Sequence, residues 1–453
     1  MGLIKLLLRM ENKPTSYKLQ ELYDLYQSGV LNKEEYEDLK STIIIPKTNV
    51  YDKKTPYRKT GDFFKKLTSK ALEYSTLLLV FLKSNISIKK VVNPILFSKL
   101  KWVLVLVVTS ILITISVLYL TKDRSYPIEV ASTLWSFNAE GYIDSNPILY
   151  EDILYFTAKG RRLVAINIES GLEIWSWTFR DLPLKDPNVV NGVVYIGSLR
   201  EGFLFAIDAK TGREIWRFFA NSSIYSRPEI SNGLVVFGID IGRLFALDVN
   251  TGREKWRFNG SSINSTPLIY EGKAFVGSKS SFYAIDIISG EKIWEIPAIG
   301  FLHGSGASPV AIDKNLYFGT YQGSLYCVAV DSGEIIWHYE TEGRITSTPA
   351  IDNDYVYIGC DKNNLYAINR KNGRERWSFE AKNSILSSPV IHNNHVIIGS
   401  YDRNIYALNK KSGKLNWYFK TEDRITTTPV IRDEIVYITS MDGHVYAIDT
   451  KQY

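Results

Sequence analysis

Few side chains in this chain have both the type and the spacing that chemistry demands. There are five histidines among 453 residues: His303, His338, His392, His395 and His444. His392 and His395 flank Asn393 and Asn394, so they read either as a pair of imidazole metal ligands or as the ends of an exposed hairpin. No third ligand lies close in sequence. The two cysteines, Cys327 and Cys360, stand where sister segments carry Ala or Ser, as small buried residues do; a disulfide between them is open but not required. Asp361, Asp402 and Asp442 recur in short polar turns, where a carboxylate organises backbone N–H groups more readily than calcium. The expectation is a chain with no catalytic, cofactor-binding or metal residues, and not an enzyme. One group of loops has binding chemistry. Phe301 and His303 lie in the glycine-rich GFLHGSGAS, while Arg344 and Arg424 lie in the matching stretches TEGRITSTP and TEDRITTTP. Together they would make a cationic rim with an aromatic loop, suited to an acidic peptide or glycan; the same residues also read as ordinary solvated loops. Asn221, Asn259 and Asn264 begin N-x-S/T sequons.

The elements that must position these loops follow from a repeat. Trp135, Trp175, Trp216, Trp256, Trp294, Trp337, Trp377 and Trp417 recur at a period of about forty residues. Pro147, Pro187, Pro228, Pro267, Pro309, Pro349, Pro389 and Pro429 keep the same beat. Within one unit, PVI, HVIIGS, NIYALN and LNWYF are strand-length runs separated by Asn, Asp, Gly, Ser and Lys. Joints this short admit only antiparallel neighbours. Four short strands per repeat make a propeller blade, which buries its faces only by stacking on its neighbours. Gly171, Gly212, Gly252, Gly290, Gly333, Gly373 and Gly413 fall in the turn before the last strand, where a positive φ suits glycine. The following Trp would fill the gap between blades, with a small Ala (Ala206, Ala246, Ala367, Ala407) where a ring could land. Proline opens the first strand, where a missing N–H costs least. The first marker, TLWSF, lacks its three preceding strands, and the last unit lacks a Trp strand. Pairing the termini therefore gives eight blades over residues 131–453 and leaves no open edge.

The run AIDAKTGREIW, with ALDVNTGREKW and AINRKNGRERW, resembles the tryptophan-docking motif of pyrroloquinoline-quinone-type propellers. The resemblance extends over residues from about 131 to 450 and implies an eight-bladed fold. Its two branches are quinoprotein dehydrogenases and non-enzymatic propellers similar to the scaffold lipoprotein of the outer-membrane β-barrel assembly machinery. The first branch implies a calcium ion, a catalytic carboxylate, adjacent cysteines and long inserts. None of these is evident here, so the dehydrogenase alternative is the weaker one. The second implies a protein-binding scaffold.

Residues 102–120, WVLVLVVTSILITISVLYL, contain no charge and are long enough to cross a bilayer as a helix. Lys83, Lys89, Lys90, Lys99 and Lys101 precede them, against Lys122 and Arg124 after, which places the N-terminus in the cytoplasm and the propeller outside. Residues 1–101 hold 19 Lys+Arg against 10 Asp+Glu, leaving 35 against 38 for the rest. The basic balance thus belongs to the N-terminal part, and nucleic-acid binding by the propeller has no support. Residues 46–101 form a basic linker. Cations and an apolar helical period over 47–83 read as a helix on anionic lipid or as a solvated linker. Residues 121–130 form a second linker.

Residues 1–45 read as two short helices joined at Gly29, with Asn32 and Glu35 as a capping box. Leu22, Leu25, Gly29, then Glu34, Glu35, Tyr36, Glu37 and Lys40 resemble the SHOCT family of helical hairpins. That likeness implies docking or homo-oligomerisation. The whole chain reads as a single-pass membrane protein with an extracytoplasmic propeller that binds a protein partner at a face or edge, in envelope assembly. The alternative is a transmembrane sensor with a ligand-binding propeller.

Overall fold

The computed structural model describes residues 128–129 and 133–451, apart from 160, 181–182, 184–185 and 298–307. The expected helical hairpin (1–45), basic linker (46–101) and membrane helix (102–120) lie outside the described residues, as do Phe301 and His303. Among the described residues no helix is long and apolar enough to cross a membrane.

Among the described residues there are eight sheets, each built on four antiparallel strands. Blades 1 to 7 run over 148–178, 188–219, 229–259, 268–297, 310–340, 350–380 and 390–420. Blade 8 takes three strands from the end of the chain (Val430–Arg432, Ile435–Thr439, His444–Asp449) and its outer strand, Trp135–Asn138, from the beginning. Trp135 pairs with Ala447 and Asn138 with His444, so the expected closure is present. One strand was not expected. Ile128–Glu129, within the stretch read as linker, pairs in parallel with the outer strand of blade 7, Ile128 opposite Trp417 and Glu129 opposite Tyr418.

The joints between blades are built from two repeated contacts. In the first, an indole N–H crosses to a carbonyl of the next blade: Trp135 to Ile168 at 2.8 Å, Trp216 to Val249 at 3.1 Å, Trp377 to Lys410 at 3.0 Å. The ring lies on the turn glycine of that next blade. A Cβ on Gly413 would stand 2.7 Å from the Trp377 ring, and its φ is +69°. The glycine is thus required twice over, by backbone conformation and by contact. Ala206 and Ala367 sit directly across the sheet from the Trp of their own blade.

The second contact comes from an I-x-S/T-x-P run that enters six of the eight first strands. Ile385 packs on Gly359, where a Cβ would stand 2.5 Å from it. Two residues on, the Ser387 hydroxyl accepts from the Gly399 N–H and donates to the Gly399 carbonyl, both at 2.8 Å. Around these joints lie continuous apolar clusters, such as Trp377, Ile385, Val396 and Tyr406 between blades 6 and 7, all at most 9% exposed.

Candidate functional site

The I-x-S/T-x-P run also builds the centre. Isoleucine and the Ser or Thr after next point into the joint, so the residue before each proline points the other way, toward the axis. These residues and six of their prolines line a central channel of about 420 Å3. Five of the eight axial positions carry hydroxyls (Thr266, Ser308, Thr348, Ser388, Thr428); the others are Asn146, Asp186 and Arg227.

They form a relay around the axis. At six of the eight positions the backbone N–H donates to the side-chain oxygen of the equivalent residue one blade on. Ser308 donates to Thr348 (2.9 Å), Thr348 to Ser388 (2.9 Å), Ser388 to Thr428 (3.1 Å), Thr428 to Asn146 (2.6 Å) and Asn146 to Asp186 (2.8 Å). Arg227 likewise donates to Thr266 at 3.2 Å. The relay crosses the junction of the chain's two ends without interruption.

Charge occupies one sector only. Arg227 is held by Glu229, Nη2 to Oε1 at 2.6 Å and Nε to the same oxygen at 3.1 Å. Burial works against the guanidinium charge, but Glu229 beside it and Asp186 nearby more than offset this and hold it above its usual range. Its side chain keeps 36% of its surface open to the channel. Asp186 receives both the N–H and the side-chain amide of Asn146. The sequence reading passed over this tier. Its signal was the residue before each repeat proline, which is Ser or Thr five times and charged only at Asp186 and Arg227.

Antiparallel alternation brings the connections between blades to the same end of the barrel of sheets as the hairpins joining second and third strands. Arg344 and Arg424 are on this face, and each side chain is 56% exposed. The Arg344 guanidinium lies 5.1 Å from the Tyr321 ring centre and its Nε is 2.7 Å from Asp361. Arg424 repeats this over Tyr401 at 5.5 Å, with Asp423 at 3.8 Å. The Asp361 neighbour raises the basicity of Arg344 further. The tyrosines were not singled out from sequence; each lies in the hairpin TYQG or SYDR, one repeat-half before its arginine. The hairpin aspartates serve the turns: Asp402 accepts from the Lys382 N–H (2.9 Å) and the Tyr406 hydroxyl (2.7 Å), and Asp442 from the Glu422 N–H (3.0 Å) and the Tyr446 hydroxyl (2.8 Å).

The remaining candidates lie elsewhere. Cys327 and Cys360 are free and buried; burial pushes the Cys327 thiol up to about 11 and Cys360 up as well, so neither is a ready nucleophile. His392 and His395 are on the opposite face, and burial lowers the basicity of His395. Among the described residues no three His, Cys, Asp or Glu side chains stand grouped as a ready metal centre. On the outer edges, Ile174, Ile215 and Ile336, each one residue before a docked Trp, are 45%, 49% and 50% exposed.

Comparison with known proteins fits this geometry. Residues 186–379 and 377–452 match the family described as outer membrane protein assembly factor BamB. Among solved structures, BamB from Moraxella catarrhalis is similar at 22% identity, TM-score 0.61, over 71% of this chain and 98% of that one. The computationally designed Ika8 protein is similar at 16% identity, TM-score 0.61, over 69% and 97%. Quinohemoprotein alcohol dehydrogenase from Comamonas testosteroni is similar at 15% identity, TM-score 0.59, over 70% and 76%. At these identities the likeness is one of fold. No curated protein matches the chain.

Proposed function

Because the chain belongs to the BamB family of propellers, we propose that it is a non-enzymatic scaffold that holds a protein partner on the rim face of the propeller. The observation that carries this reading is the rim itself: two arginines, each stacked on a tyrosine and more than half exposed, project from equivalent loops two blades apart. Stacking fixes each guanidinium at low entropic cost while leaving N–H donors for an acidic segment. Arg and Tyr are also the side chains on which protein interfaces concentrate their energy.

The channel supports binding over catalysis. A calcium-bound quinone would need free oxygen donors at the axis. Here Asp186 is taken by Asn146, Glu229 by Arg227, and the hydroxyls by the relay. Both carboxylates lining the channel, Asp186 and Glu229, are already engaged, which favours the non-enzymatic reading. In this reading residues 102–120 anchor the chain, with the N-terminus in the cytoplasm and the propeller outside, where a partner would belong to envelope assembly.

The test is the double charge reversal Arg344→Glu/Arg424→Glu in the full chain, in native membranes. The partner that cross-links to the parent protein should fall at least tenfold while the thermal transition stays put. Retained cross-linking would refute the rim. Dye-linked alcohol oxidation after loading with pyrroloquinoline quinone and calcium would refute the non-enzymatic role.

A further inference from the structure

On the face opposite the rim, a pocket of about 310 Å3 opens between blades 7 and 8. His392 and His395 are direct cross-strand partners in the first hairpin of blade 7. Partners in that relation project from the same side of the sheet with Cβ atoms about 5 Å apart. The side they share faces blade 8, since the His392 Nε2 lies 3.1 Å from Glu434 Oε2 in the first hairpin of that blade. The other Glu434 oxygen accepts from Asn393 at 2.8 Å. Two imidazoles and a carboxylate thus line one cavity, the donor set that suits zinc, nickel or copper rather than calcium or magnesium.

We propose that His392, His395 and Glu434 bind a divalent transition-metal cation that staples blade 7 to the closing blade. The site needs three adjustments, the first being that the His392 Nε2 gives up its 3.1 Å contact with the Asn393 amide. As arranged, the Asn416 amide holds the His395 Nε2 at 2.8 Å, and turning the ring toward Glu434 gives up that bond. Lys451 also lines the pocket and opposes a cation by its charge; its long side chain can swing into solvent. A metal here would join the hairpins of the seam where the chain's ends meet, and it would stabilise the fold by binding only the closed ring. The inference is independent of any partner at the rim.

The full-length protein, stripped with a chelator, would be titrated with zinc by calorimetry and with cobalt by visible absorption. One saturable site is expected, with cobalt bands of mixed nitrogen and oxygen ligation and a higher melting temperature when zinc is present. His392→Ala, His395→Ala and Glu434→Gln should each weaken binding at least tenfold, and His338→Ala, on blade 5, should leave it unchanged. Asn416→Ala and Lys451→Ala should tighten it, an outcome that general misfolding cannot mimic. No saturable site up to millimolar zinc, or equal weakening by His338→Ala, would overturn the proposal.

Discussion

The joints between blades and the tier around the axis are drawn from the same short stretches of chain, yet the two regions are written in different ways. At the joints the residue type hardly varies: Trp on Gly, Ile on Gly, and a Ser or Thr hydroxyl holding a glycine backbone. Around the axis the equivalent position is Asn, Asp, Arg, Ser or Thr. The reason is solvent. A joint is dry and close-packed, so a misplaced methyl group or a lost hydrogen bond has no substitute. The axial tier borders a channel, and at six of its eight positions it asks for an acceptor, which an amide, a carboxylate or a hydroxyl supplies equally well. Constraint therefore marks what holds the ring together, and variation marks where a binding surface can be changed without cost to the fold.

The contrast breaks if joint and tier respond alike to substitution. The largest loss is expected at the indole: Trp377→Ala should cost about 3–5 kcal/mol by urea unfolding, since it empties a buried ring site and orphans a carbonyl. Gly413→Ala should follow at about 3 kcal/mol, combining a strained positive φ with overlap on that same ring. Ser387→Ala, which leaves the Gly399 N–H unpaired in a dry joint, should cost about 2 kcal/mol. At the wet tier, Thr348→Ala removes the acceptor of the Ser308 N–H, but water can replace it, and the loss should be about 1 kcal/mol or less. Comparable losses for Thr348→Ala and Ser387→Ala would erase the distinction between the two regions.

The same division explains what could be read in the sequence. Trp and Pro beat at one period because every joint needs them, so blade number, blade boundaries and the closure by TLWSF were all legible. The turn glycines were legible as positive-φ positions, but their second duty, receiving the indole of the preceding blade, depends on a contact across roughly one repeat of chain. Arg344 and Arg424 could be singled out because their loops precede a first strand. Their tyrosine platforms, Tyr321 and Tyr401, could not, because stacking across a hairpin leaves no periodic trace. Asn146, Asp186 and Arg227 were passed over because a position that carries five residue types does not look like a position. The two-residue strand Ile128–Glu129 is too short for alternation to declare it. His392 and His395 stood out as a pair, whereas Glu434, a whole repeat away, became their neighbour only once the blades were stacked.

The most direct measurement of the functional claim compares the two faces of the propeller in native membranes. A photo-reactive amino acid would replace Tyr321 or Tyr401 on the rim face, and Asn191 or Asn232 in hairpins on the opposite face. A discrete protein adduct from the rim positions, absent from the others, is the predicted result. Adducts from Asn191 and Asn232, with none from Tyr321 or Tyr401, would contradict a scaffold that works through its rim.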